Sequence, residues 1–173
     1  MKIANTYLFL FLVTISFAQE DLYYEDFESQ DIGAKLTSWK GMKFMGWNKS
    51  VWKVVKENDN RFGQSSDQQK VFLVKTFDLE AGATYRWSVD TKVVNNGQGW
   101  KRSHTLTVTA KGDNDNHKYG FVSVDEPTSN KWNSSTIEFT VLDGKTNVSL
   151  QIFRFAEGAV MAVDNYKLTK LQY

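Results

Sequence analysis

The sequence predicts an all-β protein, built as an antiparallel β-sandwich. Three observations carry this. Short runs of alternating apolar and polar residues recur along the chain, and such alternation buries one face of a strand. Turn signals separate the runs, among them Glu80-Ala81-Gly82, Asn95-Asn96-Gly97 and Asp143-Gly144. No stretch after residue 18 carries a helical period of useful length. With 14% aromatic residues, six Trp and one Pro in 173 residues, the chain can fill one sizeable core, and its length suits a single domain.

Residues 1–18 stand apart. Lys2 forms a short positive segment, Tyr7 to Val13 an apolar segment, and Ser16-Phe17-Ala18 a small-x-small cleavage site. This is the order of a secretory signal peptide, and the apolar run is too short to span a bilayer. The expected product is residues 19–173, one domain, secreted to the outside or a periplasm, with no transmembrane segment. Cleavage removes Lys2 and leaves equal numbers of basic and acidic side chains, so no basic face marks a nucleic-acid partner. The chain has no Cys, hence no disulfide and no lipid-modified Cys.

Leu22-Tyr23-Tyr24 suits a first edge strand, and Phe27 to Trp39 a loop. Gly41 to Val55 is aromatic and cationic, and Glu57 to Gly63 is a turn-rich loop. Regular strands then begin at Val71–Phe77. In Thr84–Val93, Tyr85, Trp87 and Val89 face one way and Arg86, Ser88, Asp90 and Lys92 the other. His104–Ala110 puts Leu106, Val108 and Ala110 inward and threonines outward. Tyr119–Val124, Thr136–Val141 and Asn147–Phe153 follow, the last with Val148, Leu150 and Ile152 inward. Ala159–Leu168 closes the count at about eight strands. It carries Asp164 among apolar neighbours, where a carboxylate must be paired, hydrogen-bonded or metal-bound.

Hydrolytic chemistry is poorly supported. His104 and His117 lie in unrelated settings, and there is no Gly-x-Ser-x-Gly and no Cys. No His/Cys spacing suggests zinc. Asp90 and Glu138 are the candidates for a carboxylate pair, with Asp90 more simply a cross-strand partner of Arg86 or Lys92. Glu28 and Asp164 suit Ca²⁺, a cation that wants several oxygen ligands, and Glu57-Asn58-Asp59-Asn60 could complete the shell. The alternative is that Asp164 only accepts backbone hydrogen bonds.

Trp87 sits on the apolar side of its strand, as core. Trp39, Trp47, Trp52, Trp100 and Trp132 sit in or beside polar, loop-like stretches. A flat aromatic takes the C–H face of a sugar, while Arg, Asp, Gln and Asn take its hydroxyl rim. The outward row of Arg86, Ser88, Asp90 and Lys92, and the pair Gln151 and Phe153, have this composition.

Three segments carry a resemblance: Tyr24-Glu25-Asp26-Phe27-Glu28, Phe77 to Val89, and Val163-Asp164-Asn165-Tyr166-Lys167-Leu168. In this order they resemble carbohydrate-binding modules of the β-jelly-roll type, families 4, 16 and 22. The aromatic, basic stretch from Met42 to Trp52 departs from that pattern. So does Asn60 to Ser66, which replaces a Gly-rich stretch. The resemblance implies a jelly roll and a structural Ca²⁺ held partly by Glu28 and Asp164. It also implies a glycan groove on a concave sheet, onto which Arg86, Asp90, Gln151 and Phe153 map. The expected function is therefore non-catalytic polysaccharide or oligosaccharide binding, through Trp52, Arg86, Asp90, Trp100, Gln151 and Phe153. A jelly-roll lyase or glycoside hydrolase, and a protein-binding adhesion domain, are the alternatives. The glycan is neutral or anionic; Lys49, Lys53, Lys101 and Arg102 leave room for the latter.

Overall fold

The computed structural model describes residues 19–36, 42–43, 52–66, 71–98, 104–111, 116–124, 130–154, 156 and 158–172. The expected signal peptide, and Trp39, Trp47 and Trp100, lie outside the described residues.

Among the described residues, eleven strands form two antiparallel sheets: β1 Glu20–Glu25, β2 Met42–Lys43, β3 Trp52–Glu57, β4 Asn60–Ser65, β5 Val71–Asp78, β6 Thr84–Asn95, β7 His104–Lys111, β8 Asn116–Val124, β9 Trp132–Thr140, β10 Asn147–Arg154 and β11 Val160–Leu171. The larger sheet runs β3-β4-β11-β6-β9, with β1 also on β11; the other runs β2-β5-β10-β7-β8. The inward rows of the two sheets meet in one core that includes Trp52, Tyr85, Trp87, Leu106, Leu150, Ile152 and Leu168.

The strand count exceeds the sequence expectation because β2 pairs with β5 and residues 52–65 fold as a hairpin, pairing Trp52 with Ser65 through Glu57 with Asn60. Its second strand, Asn-Arg-Phe-Gly-Gln-Ser, has the composition of a loop. Packing makes it a strand. A Cβ at Gly63 would lie 2.7 Å from Leu36 Cδ1 and 3.3 Å from Phe27 Cζ, so glycine lets β4 approach this layer closely. The hairpin then docks on β11 through Val163–Gly63 and Ala162–Gln64.

The twelve-residue β11 is the spine of its sheet. One side pairs with β6 along its length. The other side pairs with β4 at Ala162 and Val163, then with β1 from Tyr166 to Lys170. Asp164 and Asn165 sit at this change of neighbour, where the β6 register also slips. Asn165 has φ 47°, a left-handed conformation that Asn tolerates better than most residues.

Candidate functional site

The five-stranded sheet presents an ordered outward face. Register fixes three rows across β5, β10, β7 and β8. They are Phe72, Phe153, Thr105 and Ser123; Val74, Gln151, Thr107 and Phe121; and Thr76, Ser149, Thr109 and Lys118. The opposite faces of these strands carry the core residues Leu73, Val148, Leu150, Ile152, Leu106 and Val108. Phe72 and Phe153 are 6.3 Å apart at a tilt of 40°. Gln151 Nε2 donates to Thr109 Oγ1 at 2.7 Å, and the Thr76 and Ser149 hydroxyls lie 3.0 Å apart. Val74 (1% exposed) and Thr107 (7%) flank Gln151 and are sunk, whereas Phe121 is 59% exposed. Chemically, the face offers rings for the apolar side of a sugar and hydroxyl and amide groups for its rim.

Lys118 and Phe121 share this face because of a bulge. Thr109 pairs with Lys118 and Val108 with Gly120, so Tyr119 is the extra residue. Simple alternation puts residues 118 and 121 on opposite faces; one inserted residue restores them to the same face. The Lys118 ammonium lies 3.8 Å from the Phe121 ring centroid. Sequence reasoning missed this pair, since a two-residue period gives no sign of a bulge.

The residues expected to form one groove are divided. Gln151 and Phe153 lie on the outward face of β10, as alternation predicts. Arg86 and Asp90 lie on β6, in the other sheet, so they face outward on the opposite side of the sandwich. Both are engaged there. Arg86 Nε donates to Glu138 Oε1 at 2.7 Å. Asp90 accepts from Ser134 Oγ and from Asn165 Nδ2, the latter at 2.9 Å. The expected Arg86 or Lys92 partner for Asp90 is replaced by these groups, and Lys92 pairs with Glu57. Trp52 is a correction. It is fully buried (0% exposed), and its Nε1 donates to the Phe72 carbonyl at 3.2 Å. It ties β3 to β5 across the core and presents no stacking face. Trp132 lies edge-on to Phe62 at 5.3 Å on the other sheet.

The carboxylate-pair chemistry finds no geometry. Glu138 stands opposite Arg86, four residues along β6 from Asp90, a separation of about 13 Å at the usual strand rise. Hydrolytic pairs need about 5–9.5 Å. The histidine candidates also turn away from the open face. His104 is buried with Nε2 2.9 Å from Thr91 Oγ1, and His117 packs on Tyr119 at 4.6 Å. Tyr119 Oη donates to the Lys145 carbonyl and accepts from Leu142 N–H.

Burial, with the Arg154 charge adding to it, lowers the His104 pKa to about 4. The unfolded chain takes up a proton on this ring below about pH 6.5, whereas the folded chain refuses it until about pH 4. Stability is therefore expected to fall by roughly 3 kcal/mol as pH drops through this window. Urea titrations from pH 7 to 4 measure this, and His104→Gln should flatten the slope.

Glu28 and Asp164 lie near the point along β11 where its neighbour changes from β4 to β1. Asp164 is buried (5% exposed). Its Oδ2 accepts from Asn60 Nδ2 at 2.9 Å and its Oδ1 from Asn165 N–H at 2.8 Å. Burial pushes its carboxyl up; these two hydrogen bonds oppose that, and the charges of Asp90 and Glu28 add to it. Glu28 Oε1 accepts from Arg61 N–H at 2.9 Å, and the Arg61 guanidinium takes the Glu28 and Gln30 carbonyls at 3.1 and 2.7 Å. No cluster of three or more Asp, Glu or His that could hold a metal occurs among the described residues. Glu28 and Asp164, with the Asn60 amide oxygen once that side chain is turned over, would be the oxygen ligands of a hard cation here. The carbonyls held by Arg61 would not be ligands.

No protein-family model matches the sequence, and no curated protein matches it. Solved structures do. The CBM22-1 xylan-binding domain of Paenibacillus barcinonensis Xyn10C aligns over 91% of this chain and 99% of its own, with TM-score 0.64 and 14% identity. The fold is the β-jelly roll of carbohydrate-binding modules. The CBM22-1–GH10 modules of Clostridium thermocellum xylanase 10B, solved with xylohexaose, align over 90% of this chain and 29% of theirs (TM-score 0.64, 15% identity). The family 61 module TmCBM61, in complex with β-1,4-galactotriose, aligns over 79% and 94% (TM-score 0.54, 15% identity). Among the described residues, no helix is long and apolar enough to cross a membrane.

Proposed function

We propose that this protein is a secreted, non-catalytic polysaccharide-binding module whose glycan lies on the outward face of the five-stranded sheet. One observation carries the reading: the three registered rows of rings, hydroxyls and amides on that face. Phe121 and Phe153 take the C–H faces of sugar rings, and Gln151 with Thr105 and Thr109 takes the hydroxyls. The similar modules solved with xylohexaose and galactotriose support glycan as the ligand class. The separation of Asp90 from Glu138 and the inward placement of His104 support a binding role over hydrolysis. Arg86 and Asp90 belong to the packing of the other sheet and not to this site. A Ca²⁺ ion between Glu28 and Asp164 would serve the fold where β11 changes neighbours from β4 to β1.

Affinity electrophoresis on a panel of plant, algal and bacterial polysaccharides tests the reading. Phe121→Ala and Phe153→Ala should each weaken binding by about 1–3 kcal/mol, the scale of one stacked ring. Arg86→Ala, on the opposite face, should leave it unchanged. Retention that survives both Phe substitutions but fails with Arg86→Ala would move the site to the other sheet. Product release from any of these polysaccharides would overturn the non-catalytic reading.

A further inference from the structure

We infer that the glycan is anionic, carrying uronate or sulfate groups, and that Lys118 reads its charge beside Phe121. The inference rests on the glycan-binding reading above and names the class of ligand.

The observation is a segregation of charge between the two sheets. On the six-stranded sheet, three outward cations are matched by acids, Arg86 by Glu138, Lys92 by Glu57 and Lys167 by Asp21, while Lys53 on β3 has no ion pair among the described residues. The five strands of the other sheet contain a single acid, Asp78. It lies at the end of β5 and accepts from Asn147 Nδ2 at 2.6 Å. Lys111 and Lys118, on the β7–β8 edge, have no ion pair among the described residues. Among the described residues, the glycan face is thus neutral at its centre and cationic along the β7–β8 edge, with Asp78 at the end of β5 as its one carboxylate.

The Lys118–Phe121 pair adds direction. The bulge at Tyr119 sets an exposed ring and an ammonium on one face, 3.8 Å apart. The cation rests on the ring quadrupole, held where a sugar stacks. A sugar packed against Phe121 brings its rim substituents within reach of the flexible Lys118 arm. A carboxylate or sulfate on that rim takes the ammonium in a charge-assisted hydrogen bond. A neutral rim gives Lys118 only an ordinary one. With Asp78 the single acid of these strands, an anionic chain meets little like-charge repulsion along them.

The test uses pairs of polymers that share a backbone and differ in charge: polygalacturonate and its methyl ester, λ-carrageenan and its desulfated form, and carboxymethyl- and hydroxyethyl-cellulose. Affinity electrophoresis with residues 19–173 should show the charged member of at least one pair bound tenfold or more tightly than its neutral twin. Raising NaCl from 50 to 300 mM should weaken only the charged member. Lys118→Gln should reduce affinity for the charged member at least fivefold and for the neutral one by less than twofold. Equal or tighter binding of the neutral members, or charged-member affinity indifferent to Lys118→Gln, overturns the inference and leaves glycan binding standing. Retention by no polymer of either kind overturns both.

Discussion

Trp52→Ala is expected to cost the fold about 3–5 kcal/mol, the range for a fully buried Trp truncated to Ala. Two losses combine in that figure. The indole vacates a place in the core beside Val54, Val71 and Leu73, and neighbours close such a space only partly. The Phe72 carbonyl also loses the indole N–H at 3.2 Å, a link between the two sheets. The urea midpoint and Tm should both fall steeply, while the protein that remains folded binds its polysaccharide with native affinity. A variant of native stability with weakened binding would return Trp52 to the surface role that its polar sequence neighbours suggest.

Chelation is the second large effect. If Glu28 and Asp164 hold Ca²⁺, an ion present at 100 times its Kd stabilises the folded state by about 2.7 kcal/mol. EDTA should then lower Tm by several degrees, and added Ca²⁺ should restore it. Glu28→Gln and Asp164→Asn should each lower Tm and abolish the response to EDTA. The electrostatics favour this outcome. Asp164 is pushed up chiefly by burial, with Asp90 and Glu28 adding to the strain, and a divalent cation offsets all three. A Tm that does not move on chelation would show that Asn60 and the Asn165 N–H suffice to hold Asp164. Polysaccharide affinity, measured below the melting transition, should not depend on the ion, since the outward rows of β5, β10, β7 and β8 contain neither Glu28 nor Asp164.

Much of the fold was legible because alternation is a local property. Val148, Leu150 and Ile152 face inward and Gln151 and Phe153 outward with no exception, and the same holds for Tyr85, Trp87 and Val89 against Arg86 and Asp90. Such patterns need only the pleat of one strand. The β3–β4 hairpin was not legible. Asn60 to Ser65 owes its strand conformation to neighbours far along the chain, among them Leu36, Val163 and Phe27 around Gly63.

The candidate site divides in the same way. Two outward residues of β10 were readable from their own strand. Grouping them with Arg86 and Asp90 required knowing which strands share a sheet, and nothing in the alternation of β6 or β10 encodes that. Trp52 illustrates the complementary limit. Its neighbours in sequence include Lys49, Ser50, Lys53 and Lys56, but its neighbours in space are Phe72 and the core.

The sequence by itself determined an antiparallel β-sandwich, the facing of most strands, and the buried acid that closes β11. These follow from backbone pleating and from the high cost of burying a charge without partners. Only the tertiary structure decided which side chains share an outward face. Sheet membership set Gln151 and Phe153 apart from Arg86 and Asp90, and one bulged residue in β8 turned Lys118 and Phe121 to the same side. Pairing between distant strands and a single extra residue in a ladder are non-local facts, and they fix this surface.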